Sequence, residues 1–191
     1  MVVVVTVFLY WITDQNLAFA GTKELKYSFG EPSSFVGIWT STRPSGYEEV
    51  NGQKIGIIKR EKTYLDLKTP VTFEEATISL TFQNLATTDL YLALEEDTLD
   101  NKKQFKIEPL IFKEKRGDWT VGEAKFSLKK ASRVNNKYVL FIYAPGLKSG
   151  GDIENDNVNT GLIKVANIEA EFTKSPFGMG DLKRIIAKIK P

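Results

Sequence analysis

Asp152, Glu154, Asp156, Asn157 and Asn159 place five oxygen-bearing side chains in one short stretch, between Gly150 and Gly161. Hard cations such as calcium take about six to eight oxygen ligands, and alternating acids in a bent loop supply several of them. The spacing is not that of an EF-hand, because Asn157 stands where the turn glycine belongs and the twelfth position falls on Ile163. The competing expectation is a solvated turn, since Asp, Asn and Gly are what exposed loops are made of.

A second group of residues has the chemistry of sugar recognition. An aromatic ring stacks on the apolar face of a sugar while neighbouring polar groups bond its hydroxyls. Trp39, Trp119, Tyr47 and Tyr91 are the candidates, with Tyr143 beside them. Burial in the core is the alternative fate of each, as it is for most large aromatics.

Catalysis has few instruments here. The chain contains no histidine and no cysteine. That removes the commonest general base, every Ser-His-Asp arrangement, thiol nucleophiles and cysteine-based zinc sites. Hydrolysis would have to rest on paired carboxylates. Glu169 and Glu171 lie two apart on one strand, about 7 Å between side chains. Their alternation with Ile168, Ala170 and Phe172 reads as the solvent face of that strand. Arg116-Gly117-Asp118 spells a tripeptide that adhesion receptors read, but Gly-Asp ahead of a strand is ordinary turn chemistry.

The elements that carry these residues are short strands. Ala76, Ile78, Leu80 and Phe82 face one side and Thr77, Ser79, Thr81 and Gln83 the other, the period of a half-buried strand. Leu90, Leu92 and Leu94 repeat the pattern. Further strands are expected at 23–29, 35–41, 55–60, 62–68, 104–112, 119–128, 137–144 and 162–173. Tyr138 to Tyr143 is apolar at both parities, which predicts a central strand covered on both faces. About ten strands separated by Gly, Pro, Asn and Asp indicate an all-β antiparallel sandwich or barrel.

The two ends differ from this body. Val2 to Ile12 is apolar apart from Thr6, and at about 1.5 Å per residue it covers roughly half of a ~30 Å bilayer core. Ala18-Phe19-Ala20 follows, a small-x-small triplet of the kind cut by signal peptidase. Residues 1–20 are therefore expected to be a signal peptide or short membrane anchor, with secretion or surface display as the consequence. No basic residue precedes the apolar run, and VVVVTV also suits a buried strand, so that alternative stays open.

At the other end, residues 174–191 form a basic tail. Leu182, Ile185, Ile186 and Ile189 fall at i, i+3, i+4 and i+7, the stripe of an amphipathic helix able to dock on protein or a membrane surface. Lys174, Lys183, Arg184, Lys188 and Lys190 carry the excess of the +2 net charge. The remaining body, residues 21–173, is electrically balanced and has no basic stripe for nucleic acid.

Three stretches carry a resemblance: residues 63–84, a strand ended by Pro70 and a turn into a strongly alternating strand; residues 116–128; and residues 138–172. Their order resembles jelly-roll β-sandwiches of the concanavalin-like and carbohydrate-binding-module kind. It is also similar to modules of uncharacterised surface proteins from small-genome environmental bacteria and archaea. The resemblance implies an extracellular, noncatalytic module that binds carbohydrate or another envelope polymer, with structural calcium a recurrent companion of the fold. A structural envelope protein with protein partners only is the second expectation, and a two-carboxylate glycoside hydrolase the third.

Overall fold

The computed structural model describes residues 6, 18, 21–29, 45–69, 72–86, 88–97, 104–147 and 162–176. Among them the chain forms twelve strands: β1 (Thr22–Ser28), β2 (Ser45–Val50), β3 (Gln53–Ile58), β4 (Lys62–Lys68), β5 (Glu75–Asn84), β6 (Tyr91–Glu96), β7 (Gln104–Pro109), β8 (Ile111–Arg116), β9 (Trp119–Ser127), β10 (Arg133–Val134), β11 (Lys137–Tyr143) and β12 (Ile163–Thr173). All pair antiparallel, in one seven-stranded and one five-stranded sheet.

The larger sheet runs β2-β3-β12-β5-β9-β8. Strand β12 pairs with β5 along its length, while on its other side β3 takes Ile163–Val165 and β1 takes Asn167–Thr173. In the smaller sheet β4 runs beside the whole of β11. On the opposite side of β11, β10 pairs its first two residues and β6 its last four, with β7 beyond.

Alternation places one face of each sheet inward. Ala76, Ile78, Leu80, Ile168, Ala170 and Phe172 from the larger sheet are buried with Leu65, Leu67, Leu92, Leu94, Leu140 and Ile142 from the smaller one. Tight turns set the registers. Asn51 and Gly52 both have positive φ, 52° and 78°, between β2 and β3, and Asn135 and Asn136, 52° and 62°, between β10 and β11. Two consecutive positive φ values are the signature of a two-residue hairpin turn. Gly117 (φ 61°) and Asp118 form the β8–β9 turn, so the Arg-Gly-Asp sequence is hairpin chemistry.

Two expectations need correction. Residues 104–112 are not one strand. The chain breaks at Pro109 and Leu110 and passes from the smaller sheet to the larger, because proline cannot donate to a ladder and the following residue begins a new one. Strand β11 is central, but it is not covered on both faces. Tyr138, Leu140 and Ile142 are buried, whereas Val139, Phe141 and Tyr143 are only partly so.

The expected strand at 35–41, Trp39, nearly all of the 1–20 segment, the acidic loop with Asp152, Glu154, Asp156, Asn157 and Asn159, and the helix with Leu182, Ile185, Ile186 and Ile189 lie outside the described residues. Ala18 is described and joins the buried core, and its carbonyl accepts a bond from the Gly21 amide at 2.9 Å. Among the described residues no helix is long and apolar enough to cross a membrane.

At one end of the larger sheet Tyr27 packs edge-on against Phe29 (5.1 Å), and Phe29 against Tyr47 (6.1 Å). Burial pushes the Tyr27 phenol up to about 12, with Tyr47 adding to the shift. The unfolded chain loses this proton near the ordinary phenol value of about 10, while the folded chain keeps it. The stabilising term is therefore complete below pH ~10 and lost as pH rises toward 12, about 2–3 kcal/mol in all. Urea midpoints measured from pH 8 to 12 are expected to fall over that window, and Tyr27→Phe is expected to flatten much of the slope.

Candidate functional site

The outer face of the smaller sheet is built from the alternate positions of four strands. Registers put Lys62, Tyr143, Tyr91 and Pro109 in one row across β4, β11, β6 and β7, and Tyr64, Phe141, Ala93 and Ile107 in the next. Beyond them lie Asp66 opposite Val139 and Glu95 opposite Phe105, and last Lys68 opposite Lys137. Rows two residues apart are separated by about 7 Å.

The rings touch across strands. Tyr64 and Phe141 have centroids 6.0 Å apart, Phe141 and Phe105 meet edge-to-face at 4.8 Å, and Tyr91 and Tyr143 lie at 6.0 Å. Ala93 explains how Phe105 reaches Phe141 across an intervening strand: its methyl group leaves room above β6 for the two rings to meet. Such ring pairs contribute about 0.5–1.5 kcal/mol each beyond the area they bury, so the face is partly pre-assembled.

Polar groups frame the rings. Lys62 Nζ stands 5.8 Å from the Tyr143 ring centroid. A hydrogen bond to the Glu61 carboxylate holds the Tyr143 proton and raises its pKa, with burial and the Glu61 charge adding to the shift. Lys137 pairs with Asp66 at 2.9 Å. An aromatic floor with hydrogen-bonding groups at its margins can hold the apolar faces of sugar rings and bond their hydroxyls.

Of the aromatics singled out from sequence, Tyr91 lies in this face and Tyr143 with it. Trp119 and Tyr47 do not. Trp119 begins β9, opposite Arg116, and by alternation shares the outer face of the larger sheet with Glu123. Tyr47 is half-exposed on β2, against Phe29. Tyr64, Phe105 and Phe141 were not marked by sequence. For Tyr64 the available signal was parity, since Lys62, Tyr64 and Asp66 alternate with Thr63, Leu65 and Leu67; around Phe141 both parities are apolar and no such signal exists.

The outer face of the larger sheet has a different character. A trough of about 520 Å³ there is lined by Glu24, Lys26, Ser79, Lys113, Glu123 and Glu169, among others, with no aromatic ring. Lys26 pairs with Glu169 at 2.8 Å and Lys113 with Glu123 at 2.6 Å. Glu169 and Glu171 are on the solvent face, as their alternation implied. A hydrolytic carboxyl pair needs one member held protonated by a raised pKa. The Lys113 ammonium moves Glu123 the other way, below the usual carboxylate range. Among the described residues no group of three or more acidic side chains is placed to hold a metal ion.

No family model matches the sequence, and no curated protein matches it. Solved structures do match in shape. The CBM22-1 xylan-binding domain of Xyn10C from Paenibacillus barcinonensis superposes with a TM-score of 0.50 at 13% identity, over 79% of this chain and 94% of that one. The CBM22-1–CBM22-2 tandem of the same protein gives 0.49 at 13%, over 82% and 47%. The xylan-binding module CBM15 gives 0.46 at 10%, over 81% and 99%. At these identities the likeness is one of fold: the chain has the antiparallel jelly-roll β-sandwich seen in carbohydrate-binding modules.

Proposed function

We propose that the protein is an exported, noncatalytic module that binds polysaccharide through the outer face of its smaller sheet. The observation that carries this reading is the cluster of rings across adjacent rows, Tyr91 with Tyr143 and Tyr64 with Phe141 and Phe105, on a face turned away from the core. A sandwich needs no such investment of aromatics on an outer surface, and the fold shared with xylan-binding domains supports a sugar as the partner.

The tilt of the rings narrows the form of the polymer. Interplanar angles are 48° for Tyr64–Phe141, 76° for Phe141–Phe105 and 44° for Tyr91–Tyr143. No contacting pair of these rings is coplanar, so a flat crystalline surface cannot stack on both members of a pair at once, whereas a single hydrated chain can turn between them. Affinity electrophoresis of the full chain through soluble polysaccharides, beside pull-down on microcrystalline cellulose, is the test. Retardation by a soluble polymer with little crystalline retention is expected. A second run in chelator reads whether the Asp152–Asn159 loop contributes through calcium.

One observation favours the second reading, an assembly protein. Ile111 and Phe112 are 68% and 65% exposed on β8, an edge strand of the larger sheet among the described residues. Apolar side chains on an open edge invite pairing with another chain. A blank polysaccharide panel together with concentration-dependent association in sedimentation would establish that reading instead.

A further inference from the structure

We infer that two copies of the chain join edge to edge through β7, antiparallel about a twofold axis at Ile107, so that their smaller sheets become one. This joint stands on β7 itself and goes beyond the polysaccharide reading. Strand β7 is an edge of the smaller sheet among the described residues, paired with β6 on one side. The Leu110 amide bonds the Leu90 carbonyl at 3.1 Å, next to the register pair Pro109 and Tyr91. Hydrogen-bonded and non-hydrogen-bonded pairs alternate along an antiparallel ladder. Gln104, Lys106 and Glu108 therefore turn their amides and carbonyls toward β6, while Phe105, Ile107 and Pro109 turn theirs to the open side. Proline thus sits where its missing N–H costs the inner ladder nothing. The open side offers the N–H groups of Phe105 and Ile107 and the carbonyls of all three residues, a template for another strand.

The side chains of β7 are their own complement. Directly opposed residues share a face of the sheet, so a twofold axis must pass at a residue and not between two. An axis at Lys106 sets that lysine against its own copy, and like charges directly opposite destabilise a sheet. An axis at Ile107 sets Lys106 against Glu108 of the second copy, twice, in the closer, non-hydrogen-bonded kind of pair. Within one copy Lys106 already pairs with Glu108 at 3.0 Å. In the joint the two ion pairs lie head to tail, and each carboxylate stands between two ammonium groups. On the outer face Ile107, half-exposed in one copy, meets its own copy, and the exposed Phe105 meets Pro109 of the second copy. The ring clusters of the two copies then share one continuous outer face, with Phe105 nearest the seam.

Sedimentation velocity of the full chain is the test. A short edge joint belongs at the small end of interface sizes, so the dimer is expected to build up between roughly 10 and 300 µM. Lys106→Glu and Glu108→Lys each set like charges opposite at the joint, and each is expected to weaken association about tenfold or more. Mixed one to one, the two variants carry opposite charges at the paired positions, and a heterodimer of near wild-type affinity is expected. Ile107→Pro deletes an N–H on the open side and leaves the bonds to β6 in place, so it is expected to give a folded monomer. Thermal melts check the fold of every variant. A wild-type chain that stays monomeric up to about 1 mM overturns the inference. Association unchanged by both charge reversals, or by Ile107→Pro, overturns it too, as do folded charge variants that stay monomeric when mixed. No polymer enters the measurement, so its failure and a blank polysaccharide panel are separate results.

Discussion

Phe141→Ala is expected to weaken polysaccharide binding by about 30- to 100-fold, the largest effect of any single change on the candidate face. Its ring is the one that touches two others, Tyr64 at 6.0 Å and Phe105 at 4.8 Å. Removing it takes away one stacking surface and the lateral support of two more. Central aromatic anchors typically cost about 2–3 kcal/mol when truncated, and each 1.4 kcal/mol is about tenfold in affinity. The side chain points away from the core, so the loss of folding stability is expected to be well below that of an inward phenylalanine. Isothermal titration with the best polymer from the panel gives the binding change, and a thermal melt on the same sample checks the fold. Phe112→Ala, equally aromatic but on the other sheet and 65% exposed, is expected to leave affinity unchanged. Wild-type affinity in a folded Phe141→Ala protein would move the site away from this face, toward Trp119 or Trp39.

The sandwich was legible in the sequence where side chains alternate strictly. Residues 76–83 declare themselves because every inward position is aliphatic or aromatic and every outward one polar, and β5 spans Glu75–Asn84. Strand β2 was missed for the opposite reason. Gly46, Glu48 and Glu49 give it little apolar signal, and it is recruited by the Asn51-Gly52 turn and by pairing with β3. Gly56 shows a constraint no single sequence can display. A methyl group there would meet the Phe29 ring at 2.5 Å, so a residue that follows β1 decides what β3 may carry.

The candidate face was half-legible, and the reason is chemical. A surface meant to stack on sugars uses the same residue types as a core. Tyr138 to Tyr143 therefore reads as apolar on both sides, and only the paired strands reveal which parity is inward. Phe105 adds a second difficulty. It gains its meaning from Phe141, which lies two strands away in the sheet and more than thirty residues along the chain. Tryptophan is the more conspicuous mark in a sequence, yet in the described structure tyrosine and phenylalanine build the platform.

The opposite parity of the same two-sheet arrangement supplies the largest expected effect on stability, from Phe172→Ala. Phe172 is 1% exposed on β12, and its ring lies 5.3 Å from Phe73 and 6.2 Å from Tyr138, which belongs to the other sheet. It therefore joins the two layers. Truncating a buried phenylalanine costs about 3–5 kcal/mol, the spread reflecting how far the surroundings collapse into the space. Here collapse is resisted. Around Phe172 strand β12 is hydrogen-bonded to β1 on one side and β5 on the other, and the Glu74 amide bonds the next carbonyl, that of Thr173, at 2.8 Å. The backbone cannot follow the missing ring, so the upper half of that range is expected. Against a total of about 5–15 kcal/mol for a domain, this leaves little reserve. Urea denaturation is expected to show a midpoint lowered in proportion with an unchanged slope. Phe172→Leu, which keeps most of the volume, is expected to cost less than about 1.5 kcal/mol. A loss below about 1 kcal/mol in the alanine variant would mean that the sheets do not close over this ring, and the outward assignment of Phe141 and Tyr143 on β11 of the facing sheet would fall with it.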